Sequence, residues 1–522
     1  MKSMDCLKSL GNPHIPTATS EQAPAEALQR LEQIQIELRA QVTRAAKNGD
    51  SFDSTERLVW EIVKRTGHAA MELLLSLQGP GDLGEHVTTA DDRQLRRSDE
   101  PTATPLRSIF GEHSFQQFTY SAGVNKKIEL RPISTRLQLP ENRWSYLLEE
   151  FSQMFSVDEA YNQAASNLER VFGSKFSVDT LERTTSRMGQ QADAFLDALP
   201  KPSPKTESEI LVASADCKGV PLIKENVDPV AAFQTARKRP GNRRMATVVS
   251  VYTVAPYERT AEQIIESLFR EPTEQTEHPK RPQPANKHTM AHLPTVFVDD
   301  DEEVPISAIF EGMSWLAAQV DQRQQPDQPC ILLMDGQQAL WDAAVVCLGA
   351  EVAIEILDII HVSSYVWEAA ALITNTEEAR KAFTRERLLK ILQGEISSVI
   401  RGLRRMGSIA KLTGEKLKDL QRICGYFESN QSRMCYDKYL AAGYPIASGV
   451  IEGACGHLVK DRMERSGMRW TQEGARNMLN IRAAFQSSYW DQFCQQRITQ
   501  LNKELHPHTI LLADYKPLAL AC

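Results

Sequence analysis

The amino-acid sequence predicts an α/β fold, and three observations carry the prediction. ILVASAD (210–216), CILLMD (330–335) and EVAIEILD (351–358) are short apolar runs that each end on an acid. The second and third run straight into helical patterns, QALWDAAVVCL and IIHVSSYVWEAAALI. Strands alternating with helices indicate an open sheet with parallel strands, and such sheets bind ligands outside the carboxyl ends of their strands.

The elements before this sheet are of other kinds. Residues 1–80 read as a helical region. One helix covers 21–46, with Leu28, Leu31, Ile34, Ile36 and Leu38 as its apolar stripe, and a second covers 54–78, stopped by Gly79, Pro80 and Gly81. Residues 81–103 are polar and without period, and read as a linker. Residues 104–140 carry short β-like runs, RSIFGEHSFQQFTYSAG and KKIELRPIS, and read as a small β region. Residues 141–200 are helical: DEAYNQAASNLERVF stops at Gly173, and Ser177 can cap VDTLERTTSRM. Two helices around a glycine turn fit a helix-turn-helix that binds DNA, and equally a plain helical hairpin.

The Pro-rich LPKPSPK (199–205) marks a boundary. A new domain begins there, with bounds 205–361 and 444–500. It contains the β-branched strand ATVVSVYTV (246–254), a loop or insertion over 271–300, and a helix over 305–320 with Trp315. The acidic run 299–303 reads as a solvated face. Residues 377–422 read as a basic helical insertion, with twelve Lys and Arg against six Asp and Glu, opposite in sign to the whole chain. Residues 501–522 remain as a tail.

Composition bounds the function classes. At 42% hydrophobic and 25% charged, the 522 residues are ordinary for a soluble globular protein, and no apolar run approaches the roughly 18 residues of a membrane span. The opening MKSMDCLKSL lacks a secretory pattern, so a cytoplasmic protein is expected. The nine cysteines include no CxxC pair, which argues against a zinc ribbon or thioredoxin motif and reads as scattered reduced thiols. A net charge of −8 argues against a protein that merely coats nucleic acid but leaves room for local basic patches.

Three acids stand out by position. Asp216 and Asp335 end apolar strands. Glu452 lies in YPIASGVIEGACGHLVKDRMERSGMRW (444–470), followed by Lys460, Arg462, Arg465 and Arg469. The three are separated by 119 and 117 positions, so any site they share is assembled by folding. Clustered carboxylates repel one another and persist with divalent cations among them; oxygen ligands favour Mg²⁺ or Mn²⁺. Two such ions about 4 Å apart serve phosphoryl transfer. Taken singly, each acid also reads as a cap or loop charge, and Asp335 before Gly336 as turn chemistry. His361, three residues past Asp358, reads either as a core histidine or as a group at the same sheet end. RKRPGNRR (237–244) is a second basic cluster.

SADCKGVPL, LLMDGQQALW, DIIHVSSYVWEAA and ASGVIEGACGHLVKDRMERSGMRW together resemble bacterial insertion-sequence transposases of the ISKra type, over about 105–495. The resemblance implies a DDE enzyme with an RNase H-like catalytic fold over 205–361 and 444–500, split by a mostly helical insertion over 362–443. It implies a metal-binding triad of Asp216, Asp335 and Glu452, and a D-x-x-H motif of Asp358 and His361. It implies two Mg²⁺ or Mn²⁺ ions, cleavage at element ends, and transfer of the freed 3′-OH to target DNA. His361 is then expected to orient a phosphate. Arg237, Arg239, Arg243, Arg244, Lys460, Arg462, Arg465, Arg469 and Trp470 are expected along the DNA. The implied partners are terminal inverted repeats and target DNA, with a homodimer or higher homo-oligomer at the nucleoid. Cys217 departs from the small residue expected after the first aspartate. An RNase H-like nuclease without strand transfer, and a non-catalytic transposase-derived DNA-binding protein, are the alternatives.

Overall fold

The structure is a computed structural model that describes residues 23–123, 125–223, 243–270, 281–299, 302–349, 353–465 and 467–519. Its contacts divide the chain into two units: one of residues up to 156 with 161–181 and 494–522, and one of 157–160 with 182–493.

In the first unit, helices Ala23–Asn48 and Phe52–Ser76 form a hairpin closed by Ile34, Ile62 and Ala69, and Ser51 caps the second. The stretch 81–103 is not the expected linker. It holds β1 (His86–Thr88) and β2 (Gln94–Arg97), which join β5 (Tyr120–Ser121) and β6 (Ile128–Leu130) in an antiparallel sheet ordered β1-β2-β5-β6. The strands hide from sequence because each buries so little: Leu95, Tyr120 and Leu130 are the buried residues of their core, with half-buried Val87 and Phe118 packed against them. A single apolar residue in a four-residue strand displays no period. β3 (Thr102–Ser108) and β4 (Gly111–Gln117) pair as a separate hairpin. Helices Tyr146–Ser156 and Tyr161–Phe172 pack around Trp144, Leu148 and Leu168. Gly173 takes φ +78, and Ser177 Oγ accepts from Thr180 N at 3.1 Å to start helix Val178–Asp197. Glu149 and Arg497, both buried, pair at 2.7 Å.

The second unit is built on β7 (Ile210–Pro221), β8 (Arg243–Val254), β9 (Ala285–His292), β12 (Cys330–Met334) and β13 (Ile354–Leu357), while β10 (Thr295–Asp299) and β11 (Glu302–Ile306) form a hairpin of their own. The five form one sheet ordered β13-β12-β7-β8-β9. Three expectations are corrected here. The sheet is mixed: β12 and β13 run parallel to β7, but β8 and β9 run antiparallel. β9 arises inside 271–300, expected as a loop; ANKHTMAH has few β-branched residues, and its pairing with β8 makes it a strand. β7 does not end at Asp216. It continues to Pro221, because β8 pairs with it along its whole length, so the acid sits within a strand.

Helices cover the sheet. Ala308–Arg323 lies close on β8, since a Cβ on Gly312 would press Thr247 at 3.0 Å. Buried Arg323 pairs with buried Glu207 at 3.0 Å. After helix Ile359–Ile373 come Glu377–Leu392, Ile396–Ile409, Gly414–Ser429 and Tyr436–Ala441. Their Leu388, Val399, Ile423 and Phe427 share one core with Ile356, Leu357 and Val362 at the sheet. No helix among the described residues is long and apolar enough to cross a membrane.

Candidate functional site

Strand register brings three aspartates to one level. β12 pairs with β7 up to Leu332↔Ala213, so three residues further Asp335 falls opposite Asp216. β13 pairs with β12 up to Met334↔Leu357, so one residue further Asp358 falls beside Asp335. Asp358 N donates to Met334 O at 2.9 Å, which carries that register on.

Asp358 is fully buried and ties three pieces together. Its Oδ1 accepts from Ile360 N at 3.1 Å, capping helix Ile359–Ile373, and from Ser448 N at 3.1 Å. Its Oδ2 bonds His361 Nδ1 at 2.9 Å. Ser448 precedes the helix that carries Glu452, and Glu452 N donates to Ser448 O at 3.0 Å. One carboxylate therefore orients the histidine and sets the start of the glutamate's helix.

That helix is irregular. Gly449–Ala454 is α-helical, Cys455–Lys460 is a π turn, and Asp461–Met463 returns to α. A π turn misplaces carbonyls, and buried Arg482 takes them up: Nε donates to Leu458 O at 2.8 Å, and Nη2 donates to His457 O. The turn places Cys455 Sγ 3.3 Å from Asp216 Oδ2. Gly449, Gly453 and Gly456 are spaced for one face, and nothing lies within 4 Å of where a Cβ would stand on any of them.

Electrostatics show how tightly the acids are gathered. Burial, then the neighbouring Asp216 and Asp358, raise the pKa of Asp335, opposed by Gln337 N and His361. Burial, then Asp358 and Asp216, raise that of Glu452. The Asp358 hydrogen bond lifts His361 to about 9, and Asp335 and Glu452 add to it. Asp358, His361 and Glu452 each bring one ligand atom within 4.8 Å of the others, a set that could hold a metal ion. The donors fit a hard divalent cation: carboxylates strained by their own repulsion, relieved by positive charge. Both oxygens of Asp358 accept hydrogen bonds, and so do those of Asp216, from Cys217 N at 2.6 Å and Cys455 Sγ at 3.3 Å. Cys217 stays a thiol. Burial pushes it to about 11, and its Sγ lies 3.7 Å from Thr247 Oγ1.

Comparison of the chain with models of protein families and with curated proteins finds no match.

The basic residues divide. Lys460, at the end of the π turn, and Arg465 and Arg469, beyond it, are exposed. Arg243 is exposed and pairs with Glu464 at 2.7 Å; Arg244 is half-buried. Arg237 and Arg239 lie outside the described residues. Arg462 and Trp470 are corrected: neither faces solvent. Arg462 is fully buried over the Trp470 ring at 4.7 Å, and Trp470 Nε1 donates to Met463 O at 3.2 Å. Trp470 also bridges the end of β7, with its N donating to Pro221 O at 3.0 Å. An arginine stacked on tryptophan in a basic stretch looks the same in sequence whether it faces a ligand or a core.

Sequence reasoning missed Tyr426, on helix Gly414–Ser429. Its ring lies against Gly336, stacks on Tyr365 at 3.9 Å, and feels the charges of Asp335 and Asp358. No local motif announces it.

Proposed function

We propose that this chain is a metal-dependent DNA transposase of the insertion-sequence DDE class with an RNase H-like catalytic unit. It cleaves the ends of its element and joins the freed 3′-OH to target DNA. The observation that supports this most is that Asp216 and Asp335, far apart in the chain, lie at neighbouring strands, and that Glu452, on a later helix, feels the charges of Asp216 and Asp358. The acid-bearing helix arrives after the run of helices from Ile359 to Ala441, in keeping with the helical insertion that the resemblance implies.

Asp216, Asp335 and Glu452 would hold Mg²⁺ or Mn²⁺, which when bound activates an attacking oxygen and stabilises a leaving one. The chain's own residues do the positioning. Asp358 fixes the His361 ring through Nδ1 and keeps it protonated at neutral pH, so that it offers a positive donor to a phosphate oxygen. The open glycine face beside Glu452 lets a sugar–phosphate strand approach the helix backbone. Exposed Lys460, Arg465 and Arg469 supply phosphate contacts, which give affinity rather than sequence choice. Element ends are read by the helices of 161–197.

The test is a strand-transfer assay in Mg²⁺ with a pre-cleaved 3′-OH end. Joining to target is the expected result, lost in Asp335→Ala while end binding persists. Cleavage without joining would identify a nuclease instead, and full activity in Asp335→Ala would sink the triad.

A further inference from the structure

A cavity of about 470 Å³ opens beside the Asp358–His361 turn. Ile360 and Ile446, neighbours in sequence of the groups that frame the acids, form one wall. Ile264 and Leu268, on helix Ala261–Phe269, form another. Arg259 and Arg281 add charge to these apolar walls.

Arg259 is the unusual member. It is half-buried, and its hydrogen bonds run to neutral carbonyls: Nε to Tyr257 O at 3.1 Å and Nη2 to Tyr444 O at 2.5 Å. Its guanidinium lies over the Tyr257 ring at 5.6 Å. Burial, and then the nearby Arg281, push its pKa down to about 10. Among the described residues neither arginine forms an ion pair with a carboxylate. Two guanidiniums that line one cavity, neither paired with a carboxylate, suit an anion, and arginine's planar fork fits phosphate. Glu266 also lines the cavity. A carboxylate there disfavours a bare phosphate but suits a base with an exocyclic amine, such as cytosine.

We propose that this cavity binds one nucleotide unit of a single DNA strand, its phosphate on Arg259 and Arg281 and its base between Ile264, Leu268 and Ile446. The proposal rests on the DNA-processing reading above for its source of nucleotide, and not for the chemistry of the pocket. Apolar walls with a few convergent polar groups are the usual make-up of a small-ligand site. Its place beside His361 would hold a strand running on from the acids.

The experiment is calorimetric titration of the full chain with deoxycytidine monophosphate, deoxycytidine, inorganic phosphate and a short oligodeoxycytidine. The monophosphate should bind at least about tenfold tighter than nucleoside or phosphate, and should compete with the oligonucleotide. Leu268→Trp, which fills the cavity, and Arg281→Ala, at an exposed position, should each weaken it by about tenfold with melting temperature kept. Phosphate binding as tightly as the monophosphate would leave a plain anion site and overturn the proposal. So would affinity unchanged in both variants. Monophosphate binding that the oligonucleotide does not displace would make the source a free nucleotide and overturn the strand assignment. DNA joining without monophosphate binding sinks the cavity alone; monophosphate binding without metal-dependent cleavage upholds the cavity and sinks the transposase.

Discussion

The ring of Tyr426 fills the space beside Gly336 where any side chain would place its first carbon. Gly336 is not among the residues of positive φ, so its backbone does not demand glycine; the close approach of Tyr426 does. The contact seats a helix of 377–429 directly on the strand end that bears Asp335. Gly336→Ala should therefore destabilise the protein by about 1–3 kcal/mol through overpacking. Tyr426→Leu should relieve part of that cost, giving a coupling of at least about 0.5 kcal/mol in a denaturation cycle. Strictly additive effects would show that the contact does not matter.

Asp358 holds His361 and Ser448 in place beside Glu452, and its removal should be felt through both. Thermal melts of the wild type should rise with Mn²⁺ and fall back with chelator, by about 2.7 kcal/mol of linkage at a hundredfold excess over Kd. In Asp358→Asn the Mn²⁺ midpoint should move about 10- to 100-fold higher, the usual effect of losing a carboxylate behind a metal site. An unmoved midpoint would count against that supporting role.

The glycine face of the Glu452 helix separates folding from function. Space beside Gly453 is open, so Gly453→Ala should stabilise the helix by about 0.5–1 kcal/mol. Gly453→Phe should fold as well and yet lose DNA cleavage by at least about tenfold, measured on a labelled duplex. Undiminished cleavage in Gly453→Phe would mean no strand passes there.

The basic stretch after that helix has two kinds of member. Trp470→Ala should cost about 3–5 kcal/mol, as for other buried large aromatics. Exposed Arg469→Ala should change stability by less than about 0.5 kcal/mol, yet lower the salt slope of DNA binding by about one. Denaturation and salt-dependent binding curves separate the two.

Two buried histidines set an acid limit. Burial lowers His113 and His288 to about 4, with His68 adding to the first; on the second the Gln319 hydrogen bond opposes burial, while Arg323 lowers it further. The unfolded chain takes up their protons near pH 6.5 and the folded one only near 4, so the folded state binds fewer protons between those values. Stability is complete above about pH 6.5 and falls with pH down to about 4, by up to roughly 3 kcal/mol for each histidine. Urea midpoints at pH 7.5 and 5 should show the fall, smaller in His288→Gln. An equal fall in that variant would remove His288 from the explanation.

Much of this was legible in the residues themselves. Cys330–Met334 and Gln338–Leu348 appear where apolar run and helical period put them, and Gly173 and Ser177 act at the turn and cap that their chemistry suits. Local sequence determined these because each depends on neighbours within a few positions. Asp216, Asp335 and Glu452 were legible as candidates, since acids in apolar surroundings are costly without a partner. What only tertiary structure decided was everything set by contact across the chain. β9 became a strand because β8 offered it an edge, and β7 ran past Asp216 for the same reason. Arg462 and Trp470 turned inward because they pack on each other, and the space beside Gly336 was filled by a ring 90 residues away. Hydrogen bonding between strands and packing between side chains depend on partners that no local pattern names.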